Sequence, residues 1–187
     1  MRLWTVTRKA AGIIVWRLGH YGVRVTWIWS WTRVFMCMVG RDAWRYCQIT
    51  PHLCVGGQMR AGGWRWMKAH GITACVNLRE EHDDGVHGVS PDDCLWLPTP
   101  DDQAPTQSQL RSGVEFIRRA VEHGGQVYVH CAMGVGRAPT MAAAYLISTG
   151  MSPEQAITTI QRVRPFIKMT QSQLEALKQV AAESRPV

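Results

Sequence analysis

The stretch from Gly124 to Thr140 constrains the fold most, because it prescribes three pieces of backbone in a fixed order. Gly124-Gly125 stops whatever precedes it, and Gln126–His130 alternates as a short strand. Cys131 to Gly136 holds two glycines in a tight loop, and Arg137-Ala138-Pro139 opens a helix, with Ala138–Ser148 its expected body. A strand that feeds a helix directly through a glycine loop belongs to an α/β chain, in which ligands collect at the carboxyl edge of the sheet.

The flanking sequence repeats that alternation. Ile49–Gly57 reads as a short strand broken at a glycine pair, Gly63–His70 as a helix ended by Gly71, and Ile72–Leu78 as a buried strand. A loop over Glu80–Asp93 leads to a strand over Cys94–Pro98. A helix from Thr106 carries the stripe Leu110, Val114, Ile117 and Val121, and helices over Pro153–Val163 and Gln171–Glu183 close the chain. The pattern predicts an α/β fold of three layers, a mostly parallel central sheet flanked by helices, with right-handed crossovers and a helical extension at the N-terminus. At 187 residues it fits a catalytic domain over 46–187 and an extension over 1–45.

Composition sets that extension apart. Residues 1–45 carry eight bases against one acid, Asp42, which accounts for the whole net charge of +7 and leaves the catalytic part neutral. Six of the nine tryptophans also fall there. The charge is therefore local and does not point to nucleic acid. The apolar run Val23–Val39 contains Arg24 and Arg33, which spoils it as a transmembrane helix, and no small-residue cleavage site follows it. As a helix it places Trp27, Trp31, Val34, Phe35 and Met38 on one stripe and Ser30, Arg33, Cys37 and Arg41 opposite. Three readings follow: peripheral contact with an anionic membrane surface, packing on the catalytic domain, or a start placed too far upstream.

The six cysteines show no CxxC pair and no framework spacing, so reduced thiols and a cytoplasmic setting are expected, with no structural zinc. Cys131 differs from the rest in its position at a strand end. If residues Ala132, Met133, Gly134, Val135, Gly136 and Arg137 curl around one point, their N–H groups form a nest for a tetrahedral dianion. Arg137 adds a planar fork for two oxygens. The same field favours the Cys131 thiolate as a nucleophile toward phosphorus. His130 supports the loop by hydrogen bonding. The acid for the leaving oxygen is sought in the proline-stiffened loop Pro98–Pro105, which offers Asp101 and Asp102. No metal or other cofactor is required.

HCAMGVGRAPT resembles the signature loop of the cysteine-dependent phosphatases, specifically the dual-specificity group. LPTPDDQAP and GGQVYVHC resemble that group's general-acid loop and signature strand, and the similarity spans about residues 48–180. The Gly-Arg-Ala-Pro form is found in the glucan-phosphatase and regenerating-liver branches, and the spacing is also similar to that of the phosphatidylglycerophosphate phosphatases. The resemblance implies a protein-tyrosine-phosphatase-like fold, Cys131 as nucleophile, Arg137 as phosphate clamp and Asp101 as general acid, with Asp102 as a substitute. Many members have Ser or Thr after the arginine, where Ala138 stands here, which implies slower breakdown of the phosphocysteine. Thr140 is expected to point elsewhere.

Three functions are weighed on these grounds. The first is a dual-specificity or tyrosine protein phosphatase acting on a phosphoprotein as a monomer. The second is a membrane-surface phospholipid phosphatase, and the third a low-activity phosphate-binding interaction protein. Glu80–Asp84 reads as a solvated acidic loop rather than a metal cluster. Cys75 and Cys94 read as buried thiols rather than redox partners of Cys131, and Arg162, Arg164 and Lys168, near Pro165, as solvated residues around a helix end, with lining of the mouth of the site as the alternative.

Overall fold

Thr106 and Ser152 start two helices by the same device: each side-chain oxygen accepts from the amide three residues on, Gln109 or Gln155, whose own side chain reaches back to the cap amide. These caps fix α3 (Gln107–Glu122) and α5 (Pro153–Val163) in the computed structural model, which describes residues 2–85 and 93–183, with side chains from residue 12 onward. The other helices are α1 (Arg2–Val39), α2 (Ala61–Ala69), α4 (Arg137–Ser148) and α6 (Gln171–Glu183). The strands are β1 (Gln48–Thr50), β2 (Leu53–Gly56), β3 (Ile72–Arg79), β4 (Asp93–Thr99) and β5 (Gln126–His130). Part of the expected Glu80–Asp93 loop, residues 86–92, lies outside the described residues, as do the side chains of Arg2, Arg8 and Lys9.

The sheet runs in the order β1-β2-β5-β3-β4, parallel throughout except for β1 against β2. The expected α/β architecture with a mostly parallel sheet between helices is therefore present. Alternation along β5 divides the core: Val127 and Val129 face a large cluster with α3, α4, α5 and α6, while Tyr128 faces Trp64 and Met67 of α2. Helix α4 is buried on nearly every side, with Met141, Ala142, Ala143 and Ala144 fully enclosed, because its alanines let three helices approach it. This burial fixes the axis of α4, and with it the position of Arg137 in its first turn.

Two expectations need correction. Cys75 and Cys94 are not free thiols: they stand in register on neighbouring β3 and β4 and form a disulfide, with Cα atoms 4.5 Å apart. Their sequence separation of 19 gave no pairing signal, since only the crossover between the strands brings them together. Cys75 is opposite Tyr128, well short of Cys131 at the strand end, so the bridge belongs to the sheet and not to the site.

The N-terminal helix also departs from its expected bounds. It is long, and it bends at Gly22, whose φ of 73° interrupts the helical backbone. Its second half packs on the domain through Thr26, Trp29, Thr32, Arg33 and Met36, most of them polar or only partly apolar. The stripe of Trp27, Trp31, Val34 and Met38 faces outward, 71%, 45%, 57% and 79% exposed. The helix thus packs on the catalytic domain with its less apolar face.

Just beyond it, Asp42 is buried, accepts from Gly57 N at 2.6 Å and meets Arg164 Nη2 at 3.1 Å. Asp42→Ala strands Arg164 as a buried, uncompensated charge, and the expected cost is about 3–5 kcal/mol in a urea unfolding experiment on the full chain. A loss near zero, comparable to an exposed control such as Arg45→Ala, contradicts this account of the pair.

Candidate active site

The loop after β5 is shaped by what its carbonyls do. Ala132 O accepts from Gln58 N at 3.2 Å and Val135 O from Lys168 N at 2.8 Å. Met133 O and Gly134 O accept from Nη2 and Nε of Arg164, at 3.1 and 2.6 Å. Gly136 O accepts from both the amide and the hydroxyl of Thr140, at 3.0 and 2.9 Å. Every carbonyl from Ala132 to Gly136 is therefore bound away from the loop centre. A trans peptide opposes its C=O and the next N–H, so the amides of residues 133–137 are left to face inward. Gly134 N already donates to Cys131 Sγ at 3.2 Å. Gly134 has φ of 62°, and a Cβ there would run into the Gly56 backbone and Arg164, so only glycine fits.

Arg137, nearly fully buried, is fixed from several sides. Nη1 donates to Thr99 O at 2.8 Å and to Leu78 O at 3.4 Å, at the ends of β4 and β3. Glu81 takes the guanidinium fork at 3.1 and 3.3 Å, and Asp101 Oδ1 lies 2.9 Å from Nη2. Desolvation works against the charge of Arg137, but the Glu81 hydrogen bond and the fields of Cys131 and Asp101 outweigh it and raise its pKa. The Arg137 hydrogen bond in turn holds the Glu81 carboxyl down to about 2.

His130 is enclosed by rings, stacked on Tyr128 and edge-on to Trp64, with Nε2 2.7 Å from Asp84 Oδ2. Asp84 is itself fully buried. Desolvation opposes its charge, but hydrogen bonds from His130 and Gln58 and the nearby His82 bring its pKa below the ordinary value. A buried carboxylate therefore holds the ring next to Cys131; among the described residues the His130 ring makes no hydrogen bond to the loop, where the sequence predicts one.

The structure thus gathers Cys131, Ala132 to Arg137, His130 and Asp101 at the carboxyl edge of the sheet. Asp101, Asp102, Cys131, Met133, Val135, Gly136 and Arg137 line one cavity of about 320 Å³. Both aspartates are exposed, but only Asp101 contacts Arg137. Asp102 has φ of 58°, and its carbonyl accepts from Thr170 at 3.2 Å. Ala138 is buried, and the Thr140 hydroxyl is spent on Gly136, so it does point elsewhere, as expected.

Two expectations fail here. The acidic loop is not a solvated one, since Glu81 and Asp84 reach back to Arg137 and His130. The signal for this was available: the loop follows β3, whose carboxyl end is the same edge as the site. Arg164 is not at a solvated helix end. It is fully buried and shapes the phosphate loop, through contacts too distant in sequence for local pattern to reveal. Lys168 does stand at the cavity mouth, and Arg162 is exposed away from it.

A cysteine at a strand end, a loop of inward amides and an arginine in the first turn of the next helix define a cysteine-dependent phosphate site. The family model of the dual specificity phosphatase catalytic domain matches residues 53–183, and the chain belongs to that family. Among curated relatives, the mouse phosphatidylglycerophosphatase and protein-tyrosine phosphatase 1 is 45% identical over 80 residues, covering 42% of each chain. This chain thus spans less than half the length of that relative. Among solved structures, a crystal structure of PTPMT1 superposes with a TM-score of 0.65 at 28% identity, covering 74% of this chain and 94% of that one. PTPMT1 in complex with PI(5)P gives 0.55 at 33% identity, covering 60% and 78%.

Glu81→Gln removes the charge that orients Arg137 while leaving its two carbonyl acceptors, so kcat/KM toward an aryl phosphate should fall roughly 10-fold. Because Glu81 titrates near 2, its pair with Arg137 is present at higher pH and is lost only as pH falls through that value. Between about pH 4 and 8 the variant profile should therefore be lower but unchanged in shape. A shifted acid limb would place Glu81 among the titrating groups and overturn this assignment.

Proposed function

We propose that the protein hydrolyses phosphomonoesters through a phosphocysteine intermediate. The observation that carries this reading is the outward bonding of the loop carbonyls around Cys131, which leaves successive amides aimed at one point. Phosphate enters the loop, three of its oxygens taking amide hydrogens and the Arg137 fork. Cys131 Sγ attacks phosphorus, the S–P bond forms and the bond to the leaving oxygen breaks, while Asp101 gives that oxygen its proton. Water then attacks phosphorus, Asp101 takes its proton, and S–P cleavage restores the thiolate and releases inorganic phosphate. No step needs a metal.

The pair of Asp101 with Arg137 adds a detail to these steps. Asp101 lies against Arg137 Nη2. Bound phosphate competes for the same guanidinium nitrogen and detaches Asp101, which can then turn to the leaving oxygen. Glu81 keeps its hold on Nη1.

For the carrier of the phosphate, we favour a phospholipid at an anionic membrane surface over a phosphoprotein, with the chain acting as a monomer. The outward stripe on α1 supports this choice, since Trp27, Val34 and Met38 are mostly exposed there and Trp31 is partly so. No described helix is long and apolar enough to cross a membrane, so the contact would be peripheral. The similar proteins, a phosphatidylglycerophosphatase and protein-tyrosine phosphatase and PTPMT1 in complex with PI(5)P, are compatible with a lipid substrate as well as with a phosphoprotein.

Cys131→Ser should abolish aryl phosphate hydrolysis, and a chelator should leave the wild-type rate unchanged; activity retained in the variant rejects the mechanism. Asp101→Ala should slow turnover by roughly 10²–10⁴-fold, and Asp102→Ala by far less. For the surface reading, Trp27→Ala combined with Val34→Ala should weaken binding to phosphatidylglycerol vesicles by roughly 10- to 100-fold. Unchanged vesicle binding removes the membrane role of the stripe.

A further inference from the structure

Arg17 is the charged residue that the mechanism leaves unexplained. It belongs to the first half of α1, yet its side chain lines the same cavity as Cys131 and Arg137, together with Trp29 and Lys168. It is only 5% exposed. Nη2 donates to Phe166 O at 3.2 Å, and the guanidinium lies over the rings of Trp29 and Tyr21 at 4.5 and 5.0 Å. Nε is buried without a hydrogen-bond partner. Among the described residues no carboxylate pairs with Arg17, whereas the other two buried arginines of this region do have acid partners, Arg164 with Asp42 and Arg137 with Glu81 and Asp101. Burial lowers the Arg17 pKa, opposed only by the field of Tyr21.

A guanidinium held rigid by two rings and a carbonyl, enclosed, and lacking a counter-charge is a disposition that an anion completes. The cavity wall supplies a second cation, since Lys168 stands at the mouth with Nζ 3.9 Å from the Trp16 ring centre. We propose that Arg17, assisted by Lys168, forms a second anion subsite that takes the diester phosphate of a phospholipid whose monoester phosphate occupies the catalytic loop. The idea rests on the phosphatase reading above and extends it to specificity. A lipid is favoured over a doubly phosphorylated peptide because the segment that carries Arg17 continues, past the bend at Gly22, into the outward apolar stripe, so headgroup and surface are met by adjoining segments of α1. Selection then depends on the N-terminal helix, and the signature loop serves only the phosphate that leaves.

The test uses the full chain with Arg17→Gln and Arg17→Lys. Wild-type and variant kcat/KM are compared for soluble short-chain phosphatidylglycerophosphate, which carries both phosphates, and for p-nitrophenyl phosphate, which carries one. The ratio of the two should fall roughly 10- to 100-fold in Arg17→Gln, mainly through KM, and recover in part in Arg17→Lys. A ratio that stays at the wild-type value overturns the subsite, even if both rates drop together, because a purely structural role lowers both alike. If wild type does not hydrolyse the lipid, the substrate reading fails by itself. Calorimetric binding of pentane-1,5-bisphosphonate, whose five-atom bridge matches the one between the two phosphates of the lipid, against pentylphosphonate then decides the subsite without catalysis: a preference for the bisphosphonate that Arg17→Gln abolishes supports it, and equal preference in both proteins rejects it.

Discussion

The hydrogen bonds from Arg164 to Met133 O and Gly134 O are the constraint on which the site depends. A loop that presents its amides to an anion must turn its carbonyls elsewhere, and in a buried setting those carbonyls need donors. Arg164 supplies two of them from the end of α5, and its own charge is met by Asp42 from the segment that follows α1. Burial works against that charge, and Asp42 outweighs the penalty and raises the Arg164 pKa. The anion site is thus held from behind by a cation–anion pair that never touches the anion. The arrangement also explains why Gly134 must lack a side chain, since Arg164 occupies the space.

Among the described residues three guanidiniums are buried, Arg17 and Arg137 on the cavity wall and Arg164 behind the loop, and their partners separate their roles. Arg164 has a fully buried carboxylate and two loop carbonyls, an arrangement that leaves it no freedom and makes it structural. Arg137 has Glu81 across both terminal nitrogens and the exposed Asp101 on Nη2 alone, so one partner is fixed and one can be exchanged for phosphate. Arg17 has aromatic rings and a carbonyl but no acid among the described residues. The series runs from complete neutralisation through exchangeable neutralisation to none, and the capacity to bind a ligand's charge rises along it.

Much of the fold was legible because the pattern is local. The strand and helix around the signature loop, the stripe of α3 and the capping residues Thr106 and Ser152 all signal through neighbours in sequence. The site was legible to the same depth: Cys131, the loop amides, Arg137 and Asp101 lie in two short segments with strong turn chemistry. The residues that hold them were not. Glu81 and Asp84 looked like a solvated acidic run, because consecutive charges carry no mark of which side chain turns inward. Asp42 counted merely as the lone acid of a basic extension, although it sits at the centre of a buried network with Gly57 and Arg164. The Cys75–Cys94 bridge depends on strand register, which neither cysteine's surroundings encode.

The N-terminal helix illustrates a more general ambiguity. An amphipathic pattern identifies two faces, and the ordinary inference sends the apolar one to the core. Here the packed face contains Thr26, Thr32 and Arg33, while Trp27, Val34 and Met38 look outward. The threonine hydroxyls of that face are spent inside the helix, Thr26 on Gly22 O and Thr32 on Trp29 O, so the domain takes the face by shape, with Met36 beside Gly57 and Trp29 on the cavity wall. The bend at Gly22 releases the first half of α1 from the helical phase of the second. Arg17 can therefore enter the cavity beside Trp29 while the stripe of the second half stays outward. The exposed stripe and the completed cavity wall both depend on that bend.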